Sequence, residues 1–169
     1  QVEEVFSSLE SHYCANRQGY LRFALAGDFP DRKKQEPEQE AAITAAALSC
    51  VERLNRRWGD GVFYYFHRRQ IYLEKEKKYM GWERKRGALL ELVRLLEGET
   101  DTTYETVSAM PPKISYVVTL DLDTVPTKDS IKKLLGAMLH PLSHPFVDPD
   151  RMRVTRGYAI LQPRMSIDL

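Results

Sequence analysis

The apolar positions follow two spacings along the chain, and these divide it into alternating elements. Val2, Val5, Phe6 and Leu9, followed by Tyr13, step at helical intervals and predict a helix over 2–14. Asn16-Arg17-Gln18-Gly19 is a turn cluster, and the short alternating run 21–26 predicts a strand that ends at Gly27-Asp28. Residues 30–38 are polar and predict a loop. Between 38 and 57, Ile43, Ala47, Cys50, Val51 and Leu54 share one helical face, and Trp58-Gly59-Asp60-Gly61 stops the helix. Residues 62–66 are aromatic and β-branched and predict a strand in the core. Residues 67–81, charged and aromatic, read as a loop. A helix follows over 82–97, with Leu89, Leu92, Val93 and Leu96 on one side and Gly98 as its stop. A polar loop, 99–112, leads to a continuous apolar run over 114–120. That run predicts a buried strand entering Asp121-Leu122-Asp123-Thr124. Thr127 is the expected N-cap of a helix to about Leu139, with Ile131, Leu134, Leu135 and Met138 inward. Pro141, Pro145 and Pro149 punctuate a loop, and 157–162 predicts a last strand.

Helix and strand alternate four times, which implies an α/β fold with a mostly parallel, Rossmann-like sheet flanked by helices. In such sheets ligands bind beyond the carboxyl ends of the strands. Three predicted strand ends carry ligand-capable groups: Asp28, His67-Arg68, and Asp121 with Asp123. The 169 residues suit a single domain over 1–169, and 43% apolar content excludes disorder as the main state. Lys plus Arg is 25 against 24 Asp plus Glu, a net charge of +1 that carries no whole-chain footprint for nucleic acid. Cys14 and Cys50 are too few for a disulfide framework and are expected to be buried apolar fillers in a reducing compartment. No apolar run nears the roughly 20 residues that span a bilayer, so this segment itself is expected to make no membrane contact. The chain enters a helical pattern directly at Gln1 and closes on Ile167-Asp168-Leu169. It is therefore expected to be an excised piece of something larger.

Three constellations carry chemistry. Asp121 and Asp123 are spaced i, i+2 where an apolar strand meets a loop, and hard oxygen ligands there suit Mg²⁺ or Mn²⁺ bridging to a diphosphate. The plain alternative is an acid pair that caps the following helix. Asp28 offers a carboxylate to a base N–H at the sheet edge, or is a turn residue. Met80-Gly81-Trp82-Glu83-Arg84-Lys85-Arg86-Gly87 sits in a basic stretch. Residues 66–87 hold eight Lys or Arg and three Glu, a local +5. Three basic residues at a helix start oppose the helix dipole, which a bound phosphate would explain and a solvated basic face would not require. His140 and His144 are four apart, but Pro141 and Pro145 argue against one helix through both, so they are expected in a loop.

Taken together, these segments resemble a known family. Leu9-Glu10-Ser11-His12-Tyr13-Cys14-Ala15-Asn16, Leu21-Arg22-Phe23-Ala24-Leu25, Asp28-Phe29 and Phe66-His67-Arg68 are similar to the glycosyltransferase module of cyclic beta-1,2-glucan synthases. So are the 80–87 motif, Thr119-Leu120-Asp121-Leu122-Asp123-Thr124, His140-Pro141-Leu142 and Gly157-Tyr158-Ala159-Ile160-Leu161-Gln162-Pro163-Arg164. The resemblance implies a partial GT-A fold within a large, multi-part bacterial inner-membrane protein, with this module on the cytoplasmic face. It implies transfer of glucose from UDP-glucose, assisted by Mn or Mg, onto a growing beta-1,2-glucan attached to the protein, with inversion. By that likeness Asp28 contacts uracil, Lys85 with Arg84 and Arg86 faces the diphosphate, and Asp121 and Asp123 hold donor and metal. Gln162 shapes the donor or acceptor side. Leu122 stands where the family usually has Ala, and Gly27 where it has Thr or Ser. The family's first sheet strand and its acceptor half are expected to lie outside this chain, as is the general base. The isolated piece is therefore expected to fold, to expose a sheet edge that invites a truncation-induced dimer, and not to turn over substrate.

Two other readings compete. In a haloacid-dehalogenase-type phosphatase, Asp121-Leu122-Asp123-Thr124-Val125 would supply Asp121 as nucleophile and Asp123 as acid–base. That chemistry needs a downstream Lys, and none follows Lys133. The other is a non-catalytic interaction module.

Overall fold

The computed structural model describes residues 2–163. Its elements in chain order are α1 (Val2–Ala15), β1 (Phe23–Gly27), α2 (Pro37–Trp58), β2 (Phe63–Arg68), β3 (Ile71–Leu73), β4 (Lys78–Met80), α3 (Arg84–Leu96), β5 (Tyr104–Val107), α4 (Ser130–Met138), a 3-10 turn (Pro141–Ser143), β6 (Phe146–Asp148) and β7 (Arg153–Arg156).

β2 is the centre of the molecule. All six of its residues are buried, because its two faces are covered by different layers. Alternate side chains on a strand point opposite ways. Phe63 and Tyr65 face α1 and α2, where they meet Phe6, Tyr13, Ala47, Cys50, Val51 and Leu54. Tyr64 and Phe66 face the other way, against Leu92 of α3 and Tyr104 of β5. The Tyr13 ring meets those of Phe23 and Phe63 at 5.5 and 5.2 Å, close to edge-on, a favourable arrangement of ring quadrupoles. The connection into β2 is fixed by one side chain. Asn55 accepts from Val62 N and Phe63 N and donates to Phe63 O at 2.9 Å, while Gly59, at φ 120°, ends α2.

The fold is α/β, but the sheets are small and mixed. β1 pairs in parallel with β2, Phe23 opposite Phe63 through Gly27 opposite His67. β5 pairs antiparallel on the other edge of β2. β3–β4 and β6–β7 are separate antiparallel pairs. The expected mostly parallel sheet is thus corrected: among the described residues one parallel pair is present, between β1 and β2.

Two expected strands are absent. Residues 114–120 carry no regular structure, and Tyr116, Val117, Val118 and Leu120 are 36–46% exposed. A strand requires a hydrogen-bonding neighbour, and among the described residues this segment has none: β2 is flanked by β1 and β5, and the outer edge of β1 does not pair with it. Residues 157–162 are irregular for the same reason, with Ile160 85% exposed. Conversely, the expected loops hold β3, β4, β5, β6 and β7. The cap of α4 also differs: Asp129, with left-handed backbone, stands at its start in place of Thr127. Asn16 Oδ1 accepts from Ile131 N there, docking α4 on the end of α1. Cys50 is buried as expected, whereas Cys14 is exposed. Val93, expected inward, is exposed, and Glu91 is buried in its place. His140 and His144 flank the 3-10 turn instead of sharing a helix face. No helix among the described residues is long and apolar enough to cross a membrane. The expected motif residue Arg164 and the terminal residues Gln1 and 167–169 lie outside the described residues.

Candidate functional site

The carboxyl ends of β1 and β2 meet the start of α3 around one buried side chain. Arg68 is the last residue of β2 and its side chain is fully buried. Its Nε donates to Asp28 Oδ1 at 2.7 Å and its Nη2 to Asp28 Oδ2 at 2.5 Å, a bidentate fork. Nη1 donates to Trp82 O at 2.9 Å and to Glu91 Oε2 at 3.1 Å, and Nη2 reaches Arg84 O at 3.0 Å. Every guanidinium N–H is therefore used. Burial works against the charge, but Asp28 and Glu91 outweigh it and hold the Arg68 pKa above its usual value. Glu91 is itself held by Thr103, whose N and Oγ1 donate to it at 3.2 and 2.5 Å.

This arrangement explains the 80–87 motif residue by residue. Glu83 and Arg84 both adopt left-handed backbone, φ 50° and 49°, a strained conformation for side chains of this size. The carbonyls on either side of Glu83, those of Trp82 and Arg84, are the ones that Arg68 grips. A Cβ at Gly81 would stand 2.5 Å from Arg68 Nη2 and 2.8 Å from Asp28 Oδ2. One at Gly87 would stand 2.0 Å from Trp82 O. Gly87 admits only glycine because the backbone of the turn folds back onto it, whereas at Gly81 a methyl would have to push aside the ends of the Arg68 and Asp28 side chains. α3 begins without a side-chain cap and with no acid in its first turn, so its N-terminal dipole is uncompensated.

Each basic residue of the triplet meets an acid. Arg84 Nη2 is 2.9 Å from Asp31 Oδ2, Arg86 Nη2 is 3.0 Å from Glu83 Oε2, and Lys85 Nζ pairs with Asp121 Oδ1. Lys78, with Arg84 beside it, holds the Asp31 carboxyl below the usual carboxylate range. The Lys85–Asp121 contact joins the basic turn to the acidic pair, 36 residues apart in sequence. Asp123 is exposed two residues further on, and Leu122 between them is 66% exposed. Gln162 is also exposed, and among the described residues no hydrogen bond ties it to Asp28, Lys85 or Asp121. Arg68 thus ties Asp28 to the turn that carries Arg84, Lys85 and Arg86, and Lys85 ties that turn to Asp121, whereas among the described residues no hydrogen bond joins Gln162 to them.

His67 lies beneath Gly27, buried, its ring 4.1 Å from that of Phe29. Burial pushes its pKa down, against a smaller opposing pull from Asp28. A Cβ at Gly27 would come within 3.1 Å of His67 Cδ2, so a Thr or Ser there would crowd the imidazole. The pair Arg68–Glu91 escaped the sequence reading. Its signal was an acid on the inward face of an apolar helix and a basic residue ending a buried strand. A cleft of about 600 Å³ lies elsewhere, at the entrance end of β2 around Val51, Asn55, Phe63 and Val107.

A buried cation fixes one acid and a basic helix start pairs with another, so charged groups collect near the carboxyl ends of β1 and β2, where open α/β sheets bind ligands. Similarity to a known protein bears on which. No family model matches the chain. The chain is 40% identical over 172 aligned residues, 99% of its length, to the cyclic beta-(1,2)-glucan synthase NdvB of Rhizobium meliloti (strain 1021). It spans 6% of the length of that relative. The resemblance read from the motifs therefore holds along nearly the whole chain.

Proposed function

We propose that the chain is the donor-binding part of a GT-A-type glucosyltransferase that moves glucose from UDP-glucose onto a growing beta-1,2-glucan, with inversion. The supporting observation is the Lys85–Asp121 pair, which joins the basic turn to the acid pair, while Arg68 joins the same turn to Asp28. In this reading Asp28 receives the uracil, and Lys85, flanked by Arg84 and Arg86, receives the diphosphate. These cations now sit in exposed ion pairs, each worth about 0–1 kcal/mol, so an incoming diphosphate readily takes them over. Departure of UDP builds charge on its phosphates, and preset cations there stabilise the transition state. Gln162 is assigned to the donor or acceptor side. The base that deprotonates the acceptor hydroxyl is assigned to another part of a longer protein, carried on the cytoplasmic face of a bacterial inner membrane.

The acid pair fits a divalent cation of the substrate-bridged kind. Among the described residues no group of three or more His, Cys, Asp or Glu forms a protein cage. Mg²⁺ and Mn²⁺ at such sites use one or two carboxylates plus substrate phosphates, which Asp121 and Asp123 can supply. When bound, the ion adds neutralising charge at the leaving diphosphate.

Titrating UDP into the chain by calorimetry, with and without Mn²⁺, tests the proposal. Saturable binding that needs Mn²⁺ and is lost in Asp123→Asn is the expected result. Hydrolysis of a phosphate ester without UDP binding would point to the phosphatase reading, and binding of neither would leave an interaction module.

A further inference from the structure

The fork at Arg68 does more than hold the turn. We infer that Arg68 is a positioning residue for nucleobase choice, fixing the Asp28 carboxylate so that it meets a ring N–H, which uracil has at N3 and cytosine lacks. This rests on the reading of Asp28 as the base-side acid. A carboxylate offers about four acceptor sites, and Arg68 takes two, one per oxygen. The Asp28 side chain is 28% exposed, so the carboxylate stays partly open to a ligand. Arg68 cannot turn without breaking five hydrogen bonds, to Asp28, Trp82, Arg84 and Glu91, in a place water does not reach. The acid is therefore aimed before any ligand arrives, and the same side chain sets where the basic turn begins relative to it. An acceptor held in place rejects a ring nitrogen that is itself an acceptor, because two lone pairs would face each other without a proton between them. A mobile carboxylate would swing away and lose the discrimination.

Two substitutions loosen the joint from different sides. Arg68→Lys keeps the charge but loses the planar fork. Gly81→Ala places a methyl 2.5 Å from Nη2 and 2.8 Å from Asp28 Oδ2, wedging fork from acid. UDP and CDP are each titrated calorimetrically, with Mn²⁺, into the chain and both variants, with folding checked by a cooperative thermal melt. The wild-type chain is expected to prefer UDP by at least about tenfold, and either folded variant to bring the ratio close to one by weakening UDP. A folded variant that loses UDP and CDP affinity in equal proportion overturns the inference, since a purely structural role acts on both. If Arg68→Lys does not fold, Gly81→Ala decides, and failure of both to fold assigns the joint to stability and also overturns it. Binding of UDP by the wild-type chain with no preference over CDP overturns this inference alone. No binding of UDP overturns the glucosyltransferase reading with it.

Discussion

Residues 2–108 and residues 109–163 hold apolar side chains in similar density but treat them differently. Of the fifteen buried apolar residues among those described, Ile131 alone comes from the later region. Of the eighteen large apolar residues that are exposed, fourteen come from it. Local pattern separates the two only weakly: 114–120 is apolar except for Ser115 and Thr119, and 62–66 is apolar throughout. The larger difference is company. β2 has strands on both edges and helices on both faces, whereas among the described residues 114–120 has no strand beside it. Burial of a strand is a property of its neighbours, and the sequence of the strand expresses only the readiness for it.

The widest gap between the regions should appear in truncations. Phe63→Ala, in the doubly covered strand, is expected to cost about 3–5 kcal/mol of unfolding free energy. Ile160→Ala should stay within about 0.5 kcal/mol. Urea unfolding measures both, and equal losses would erase the distinction. Amide exchange sharpens the same contrast along the backbone. The Tyr65 and Phe66 amides should open only with global unfolding, and those of 116–120 should exchange at close to unprotected rates. Slow exchange in 116–120 would mean that this segment finds a partner in solution. Lys85→Ala probes the side-chain link from the basic turn to Asp121. It is expected to weaken UDP binding about tenfold while leaving urea stability within about 0.5 kcal/mol, because both side chains are 63% exposed. The smallest effect concerns acidity. The folded-state pKa of His67 lies below the ordinary 6.5, so below that pH the unfolded chain takes up a proton that the folded chain refuses. Stability contributed by the neutral imidazole is complete above about pH 6.5 and declines as pH falls through it. His12, also pushed down by burial, adds to the same slope. His67→Gln should flatten part of it in pH-dependent melts, and an unchanged slope would place the cause elsewhere.

Much of the first region was legible because its elements are long or strongly biased. The 22-residue α2 repeats its apolar face over six turns, and the aromatic run 63–66 admits little besides a core strand. β3, β4 and β5 were not, since three or four residues of mixed charge carry too little periodicity to stand out. The over-reading of 114–120 came from treating an apolar run as if it brought its own neighbours. At the site, Asp28 and the basic triplet stood out by type and by position at a strand end and a helix start, and the acid pair by its spacing, although no strand leads into it. Arg68–Glu91 did not, because a charge pair 23 residues apart leaves no local pattern and becomes visible only when strand and helix are stacked.

β2 carries the core in its first four residues and the Arg68 joint in its last. Substitutions near that joint are therefore constrained twice, once by folding and once by whatever the joint positions. If the proposed donor site holds, drift in ligand preference falls to Arg84, Lys85, Arg86, Asp121 and Asp123, whose exposed side chains can be exchanged one at a time with little effect on the packed frame.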